Sequence, residues 1–185
     1  MRIISGKLKG HSINFIKSLK TRPLKDSVKE NIFNMMDHNK DLNVEIKLAN
    51  VLDLYSGFGS FGLECISRGA KRVTFVEEDH NVIKTLKSNL SKLSIKSEAK
   101  IIQSKVEELN FNNKEKYQIF FLDPPYKDAS FLKNLNKIKD FKIFDKYHLV
   151  VIHREKDSND ILQNLIHIKK EKIYGRSKII FGEFK

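Results

Sequence analysis

The chain has 185 residues, 40% of them hydrophobic and 10% aromatic, enough for one domain that buries a core without disulfides or metal. Its 35 Lys and Arg against 23 Asp and Glu give a net charge of +12 and a pI near 9.6, which points to nucleic acid or another acidic partner. The single cysteine, Cys65, excludes an internal disulfide framework and a multi-cysteine metal site, and no apolar run nears the ~20 residues of a membrane helix.

Residues 1–25 carry Arg2, Lys7, Lys9, Lys17, Lys20, Arg22 and Lys25 and no acid, so they read as a basic arm. Residues 2–6 and 11–15 can pair as a hairpin turned at Gly10. Thr21-Arg22-Pro23 continues as extended chain, since the residue before proline avoids the helical region. The absence of an apolar leader in the first ten residues points to a cytoplasmic protein.

The main domain is expected over 26–185. A helix begins at Asp26 or Ser27, either of which can cap it, and carries Val28, Ile32, Met35 and Met36 at helical spacing. Residues 51–55 form a strand that runs into a glycine-rich turn and a helix ending at Gly69. Further strands are expected at 72–76, 99–102, 118–122 and 147–152, with helices at 81–93, near 131–138 and, briefly, at 161–165. Ile173-Tyr174 and residues 178–184 close the chain as a strand pair. Continuous apolar strands alternating with helices predict a parallel sheet covered on both faces, with ligands beyond the carboxyl ends of its strands.

Gly57-Phe58-Gly59-Ser60-Phe61-Gly62 fits G-x-G-x-x-G between the first strand and its helix, and Glu77 follows Gly57 by 20 positions. The pattern suits a nicotinamide or flavin dinucleotide, or S-adenosylmethionine. Asp53, four residues before the first glycine, separates them: a carboxylate there repels a pyrophosphate but attracts an ammonium and a sulfonium. The plainer readings are that Asp53 satisfies turn amides and that Glu77 is a solvated acid of the Glu77-Glu78-Asp79 cluster.

Asp123-Pro124-Pro125-Tyr126 follows the fourth strand. The two prolines fix the chain and remove two amide donors, leaving carbonyls able to face a ligand. A flat ligand with an exocyclic amine can donate its hydrogens to Asp123 and the Pro124 carbonyl while its ring stacks on Tyr126. The plainer reading is a rigid turn with Tyr126 as packing.

The two motifs together resemble those of the amino-group methyltransferases of nucleic acids. The whole chain is similar to the RsmD-like 16S ribosomal RNA guanine-N2 methyltransferases. That similarity runs from Arg2-Ile3-Ile4-Ser5-Gly6-Lys7-Leu8-Lys9-Gly10 through Thr21-Arg22-Pro23 and Gly62-Leu63-Glu64 to Tyr174-Gly175. It implies a Rossmann-like class I methyltransferase with a seven-stranded, mostly parallel sheet, plus the small amino-terminal hairpin arm. It also implies S-adenosyl-L-methionine as cofactor, 16S ribosomal RNA or the 30S subunit as partner, and a monomer away from membranes. Asp53, Tyr55, Gly57, Gly59, Glu77, Glu78, Ser104 and Val106 are then the cofactor-binding set. Asp123, Pro124, Pro125 and Tyr126 are the catalytic set, and Arg2, Lys7, Lys9 and Arg22 the RNA-binding set. Tyr55 and Phe58 stand where relatives often have small residues, and Lys105 stands near the position where many methyltransferases receive the adenine amine on Asp or Asn.

Cys65 is expected in the core, the six histidines show no ligand spacing, so no metal is expected, and Lys169 to Lys172 read as a solvated face. The competing functions are amino methylation of adenine or cytosine in DNA or another RNA, an RNA-binding protein without catalysis, and a dinucleotide oxidoreductase.

Overall fold

Apolar runs of four to six residues become the strands of one sheet, and the amphipathic segments between them become its covering helices. A computed structural model describes residues 1–16, 24–111, 115–125, 128 and 130–185. In chain order the elements are α1 (Asp26–His38), β1 (Asn50–Leu54), α2 (Ser60–Ser67), β2 (Arg72–Glu77), α3 (His80–Lys92) and β3 (Ala99–Gln103). They continue with β4 (Tyr117–Leu122), α4 (Phe131–Asp140), β5 (Phe144–Glu155), β6 (Ile166–Tyr174) and β7 (Ser177–Phe184).

The sheet has seven strands in the order β3-β2-β1-β4-β5-β7-β6. The first five pair in parallel, while β7 runs antiparallel between β5 and β6. This is the expected Rossmann-like, doubly wound arrangement. From β1 the chain winds outward through β2 and β3, then returns to the other side of β1 to lay down β4. That reversal leaves a crevice outside the carboxyl ends of β1 and β4.

Successive strand residues face opposite sides, so each strand serves two cores. Val51, Phe75, Phe121 and Val151 face α1, α2 and α3, whereas Leu52, Leu54, Phe120 and Leu122 face α4. Asp53 is in register with Phe75 and Phe121, so its carboxylate points to the α2 side among apolar neighbours. Phe61 of α2 stacks on Phe121 with ring centroids 4.1 Å apart, and Phe33 of α1 stacks on Phe61 at 5.1 Å. Gly62 lets α2 lie this close: a Cβ there would stand 2.3 Å from the Phe75 ring.

The basic arm is built into the first core. Ile3 and Ile13 are buried in it. Its two limbs pair as the expected hairpin around the antiparallel Arg2–Ser12 bridge, with the Ile3 amide on the His11 carbonyl at 2.9 Å, the Gly10 amide on the Ile3 carbonyl at 2.9 Å and the Ile13 amide on the Met1 carbonyl at 3.0 Å. The pairing is shorter than expected because the Ile4 and Ser5 amides turn to Glu64. Gly6 packs so tightly on the end of α2 that a Cβ would stand 2.0 Å from the Ser67 carbonyl oxygen. Glu64 of α2, fully buried, accepts the Ile4 and Ser5 amides at 2.8 and 2.9 Å and Nε of Arg68 at 3.0 Å. The Lys29 ammonium, also fully buried, lies 3.7 Å from Glu64 and donates to the Arg2 carbonyl at 2.6 Å. Burial pulls the Lys29 pKa down, and Glu64 and Asp26 oppose the shift.

Three local expectations are corrected. Helix α1 has Lys25 at its cap position with no side-chain cap. Asp26 instead accepts the Arg2 amide at 3.3 Å, because the arm lies across the start of the helix. Residues 161–165 form a turn, not a helix. Leu162 and Ile166 have helical spacing, but the Leu162 carbonyl closes a single turn and Ile166 already pairs with Phe184 of β7. For the same reason β6 is longer than the two residues expected, while β5 begins at Phe144 because that residue pairs with Tyr117 of β4. Cys65 is buried, as expected. Among the described residues no helix is long and apolar enough to cross a membrane, and no cluster of His, Cys, Asp and Glu could hold a metal ion.

Glu64→Ala strands a buried ammonium and two arm amides, so it should lower stability by about 3–5 kcal/mol in urea unfolding and expose the first 16 residues to proteolysis. A loss within about 1 kcal/mol, the range of exposed pairs, would show that this cluster does not dock the arm.

Candidate active site

The crevice between β1 and β4 opens into a cavity of about 950 Å³. That is at the upper end of small-molecule sites, and it leaves room for two ligands side by side. Its floor is the row of strand ends, and its walls are the turns that follow β1 to β4, with His153 of β5 and Arg176-Ser177 at the start of β7, joined by Met1 and the start of α1.

Asp53, 1% exposed, lies in its lining. Its Oδ2 accepts the Gly62 amide at 3.0 Å, while Oδ1, buried in the cavity lining, has no partner among the described residues. Burial pushes the Asp53 carboxyl well above the usual range. The Gly62 amide opposes this, and the negative charges of Asp123 and Glu77 push it further. The hydroxyls of Ser56 and Ser60, also buried and lining the cavity, are equally without partners. Three orphaned polar atoms around one cavity indicate a polar ligand, because an unmet buried group costs about 1–3 kcal/mol.

Glu77 at the end of β2 is held by three amides: Gly57 to Oε2 at 2.8 Å, and Glu78 and Asp79 to Oε1 at 3.0 and 2.9 Å. Burial raises its pKa and the three amides restrain the rise. Asp79 then caps α3 through the Asn81 and Val82 amides. The Gly57 amide, which a dinucleotide site would aim at a pyrophosphate, is thus committed to a carboxylate. With Asp53, Glu77 and Asp123 together, the cavity suits a cation and repels a phosphate.

Across the crevice, Asp123 follows β4. Its Oδ1 meets Nδ1 of His153 at 2.8 Å, and the ring's Nε2 meets Oγ of Ser177 at 2.9 Å. Arg154 donates to the Pro125 carbonyl at 3.3 Å, is paired with Asp160, and stacks over Phe131. The Pro124 carbonyl accepts no hydrogen bond among the described residues. The far wall includes Tyr55, in a left-handed turn with φ 58°, whose hydroxyl accepts from Asn134 at 3.0 Å.

The structure brings Asp53, Tyr55, Gly57, Glu77, Glu78, Ser104, Val106, Asp123, Pro124 and Pro125 to this one cavity. Gly59 stands behind its wall and shapes the turn: φ is 82°, and a Cβ would strike Leu86 at 2.5 Å. Tyr126 and Arg22 lie outside the described residues. Arg2, Lys7 and Lys9 are exposed but do not line the cavity. Lys7 bonds through its amide to Ser67, at the end of α2 remote from the cavity, and through its side chain to Glu98 at 3.0 Å. An eight-residue helix puts that end about 12 Å from the glycine turn. The sequence reading missed Ser56, Ser60, His153 and Ser177. Ser56 and Ser60 border the glycines, which was a usable signal. His153 follows the apolar run of β5 with nothing local to mark it.

A family model described as conserved hypothetical protein 95 matches residues 1–183. The chain is 34% identical over 178 residues to ribosomal RNA small subunit methyltransferase D of Haemophilus influenzae, covering 95% of this chain and 89% of the relative. It is 34% identical over 176 residues to the Bacillus subtilis protein YlbH, covering 92% of each. The solved structure of the Escherichia coli protein yhhF superposes with a TM-score of 0.83 at 25% identity, over 100% of this chain and 98% of that one.

Because the Asp53 carboxyl is pushed upward by burial, ionising it costs the ligand-free fold. Asp53→Asn keeps the shape and an acceptor for Gly62, and should stabilise the ligand-free chain at pH 7 by about 1–3 kcal/mol. The gain should vanish below about pH 4, where Asp53 is protonated in both folded and unfolded chains, and should grow as pH rises, because the unfolded carboxyl ionises first. Denaturant midpoints measured from pH 4 to 8 decide this. A variant less stable than wild type at pH 7 contradicts it.

Proposed function

The chain belongs to the conserved hypothetical protein 95 family, that of ribosomal RNA small subunit methyltransferase D, and on that premise we propose that it transfers a methyl group from S-adenosylmethionine to the N2 amine of a guanine in 16S ribosomal RNA. The observation that carries the reading is the cavity itself. A half-satisfied buried carboxylate, Asp53, stands on one side of it, and the Asp123-Pro124 acceptor pair stands on the other.

The residues present fit the cofactor. S-adenosylmethionine supplies a methyl group made electrophilic by a sulfonium. The unpartnered Oδ1 of Asp53 is an acceptor for its ammonium, and the surrounding carboxylates suit both positive charges. Glu77, braced by three amides, retains lone pairs for the ribose hydroxyls. Ser104 and Val106 flank the place left for the adenine, with Tyr55, Gly57 and Glu78 completing the wall.

The target amine is a weak nucleophile because its lone pair is delocalised into the ring. Asp123 and the Pro124 carbonyl accept its two hydrogens, localise the lone pair toward the methyl group and stabilise the positive charge that develops on nitrogen. No strong base is needed before attack, since the methylated amine loses its proton readily. The guanine reaches the cavity by leaving its stack, at a cost of a few kcal/mol. Stacking on Tyr126 returns about 1–3 kcal/mol of that.

Arg2, Lys7, Lys9 and Arg22 contribute phosphate contacts along the arm, and the paired position of Lys7 assigns it to RNA remote from the target base. The substrate is a partly assembled 30S subunit, whose folded RNA presents the base by shape.

Incubation with labelled S-adenosylmethionine and unmodified small subunits, followed by mass spectrometry of the nucleosides, should give N2-methylguanosine at a single position. Methyladenosine or methylcytidine overturns the guanine assignment, and label only in DNA overturns the substrate class. Asp123→Ala should lower turnover by about a hundredfold or more, as for a lost charge-stabilising group, with the methyl-donor Kd within about twofold of wild type. Asp53→Asn should raise that Kd by more than about tenfold in calorimetry. Equal donor affinity in that variant would contradict the role of Asp53.

A further inference from the structure

His153 joins the two halves of the crevice. The parallel ladder of β4 and β5 ends at Leu122 with Ile152, so the next residues, Asp123 and His153, emerge side by side on the α2 side of the sheet. The imidazole is only 7% exposed and lines the cavity. Its two nitrogens are both engaged, Nδ1 with Asp123 and Nε2 with Ser177 of the adjacent β7.

An ionised carboxylate only accepts, so in the pair with Asp123 the Nδ1 of His153 carries the proton. The Ser177 hydroxyl can donate to Nε2, which favours the tautomer with its proton on Nδ1. A carboxylate one-fifth exposed on its side chain, as Asp123 is, would otherwise rotate between rotamers in the open crevice. Tied through Oδ1, it presents Oδ2 in a fixed direction.

We propose that His153 is a positioning residue for methyl transfer: its Nδ1–H holds Oδ1 of Asp123 so that Oδ2 faces the substrate amine, and Ser177 fixes the ring from its other side. The inference rests on the assignment of Asp123 to that amine. It gives β5 and β7 a part in the chemistry that the motif residues alone do not disclose. The neighbouring Arg154, on the Pro125 carbonyl, braces the other end of the same turn.

The test separates the two imidazole nitrogens. In His153→Asn the side-chain amide can reproduce Nδ1–H, and in His153→Gln it reproduces Nε2. Steady-state methylation by the full-length variants is measured on small-subunit RNA, with methyl-donor affinity by calorimetry as the control for folding. His153→Gln should lose about a hundredfold in kcat, the scale of a 1 Å misplacement, while His153→Asn stays within about tenfold of wild type. Both should keep the wild-type donor Kd, and Ser177→Ala should fall between them in kcat. Equal kcat in all variants, or losses matched by weaker donor binding and lower melting temperature, would overturn the proposal in favour of a purely structural histidine.

Nitrogen NMR of the ring in the wild-type chain gives a readout independent of activity. A proton on Nδ1 supports the proposal, and a bare Nδ1 overturns it even if the enzyme proves active. Should the wild type methylate a base other than guanine, the substrate reading fails while the His153 result stands.

Discussion

A carboxylate buried in the wall of a cavity, with one oxygen satisfied and the other without a partner among the described residues, is the constraint around which this molecule is arranged. Asp53 occupies a position in β1 whose register partners are Phe75 and Phe121, so every packing rule favours an apolar residue there. The Gly62 amide meets only Oδ2. Glu77 and Asp123 lie close enough to raise its pKa further rather than relieve it. Such an arrangement leaves Oδ1 unmet among the described residues, at the position proposed for the ammonium of the methyl donor.

Glu64 shows what the same chemistry looks like when it is complete. It is as deeply buried as Asp53, one helix away, yet it has Arg68, Lys29 and two backbone amides as partners. One acid therefore fastens the amino-terminal arm to α1 and α2, and the other lines the crevice with one oxygen unmet among the described residues. The placement of the described part of the arm follows from this: it is fixed by the core through Ile3 and Ile13, and Arg2, Lys7 and Lys9 are exposed on its outside. Met1 reaches the cavity while Lys7 is held at the remote end of α2, so the arm spans from the site to the flank of the domain.

The parallel half of the fold was legible because its strands are continuous apolar runs between helical periods, and β1, β2 and β4 were placed within a residue or two. The edge was harder. Strand β6 has few buried residues and is defined by its partner β7, so only Ile173-Tyr174 read as strand and Lys169 to Lys172 read as a solvated face. The glycine turn and the Asp123-Pro124-Pro125 segment were readable because backbone constraints demand those residue types. The supports of the site were not. His153, Ser177 and Arg154 come from distant strands, and nothing in their local sequence shows that a carboxylate and a proline carbonyl lie beside them. The cap of α1 was misread for a similar reason: Asp26 is taken by the Arg2 amide from an arm 24 residues earlier.

The central claim is that the unpaired acid of β1 receives the positive charge of S-adenosylmethionine. Titration calorimetry at pH 6 in buffers of different ionisation enthalpy counts the protons exchanged on binding. Because the Asp53 pKa is raised by burial and falls when a cation binds beside it, the chain should release protons as S-adenosylmethionine enters, and the release should shrink sharply in Asp53→Asn. Binding with no proton release, or the same release in the variant, would contradict the account, and tighter binding of NADH than of S-adenosylmethionine would replace it.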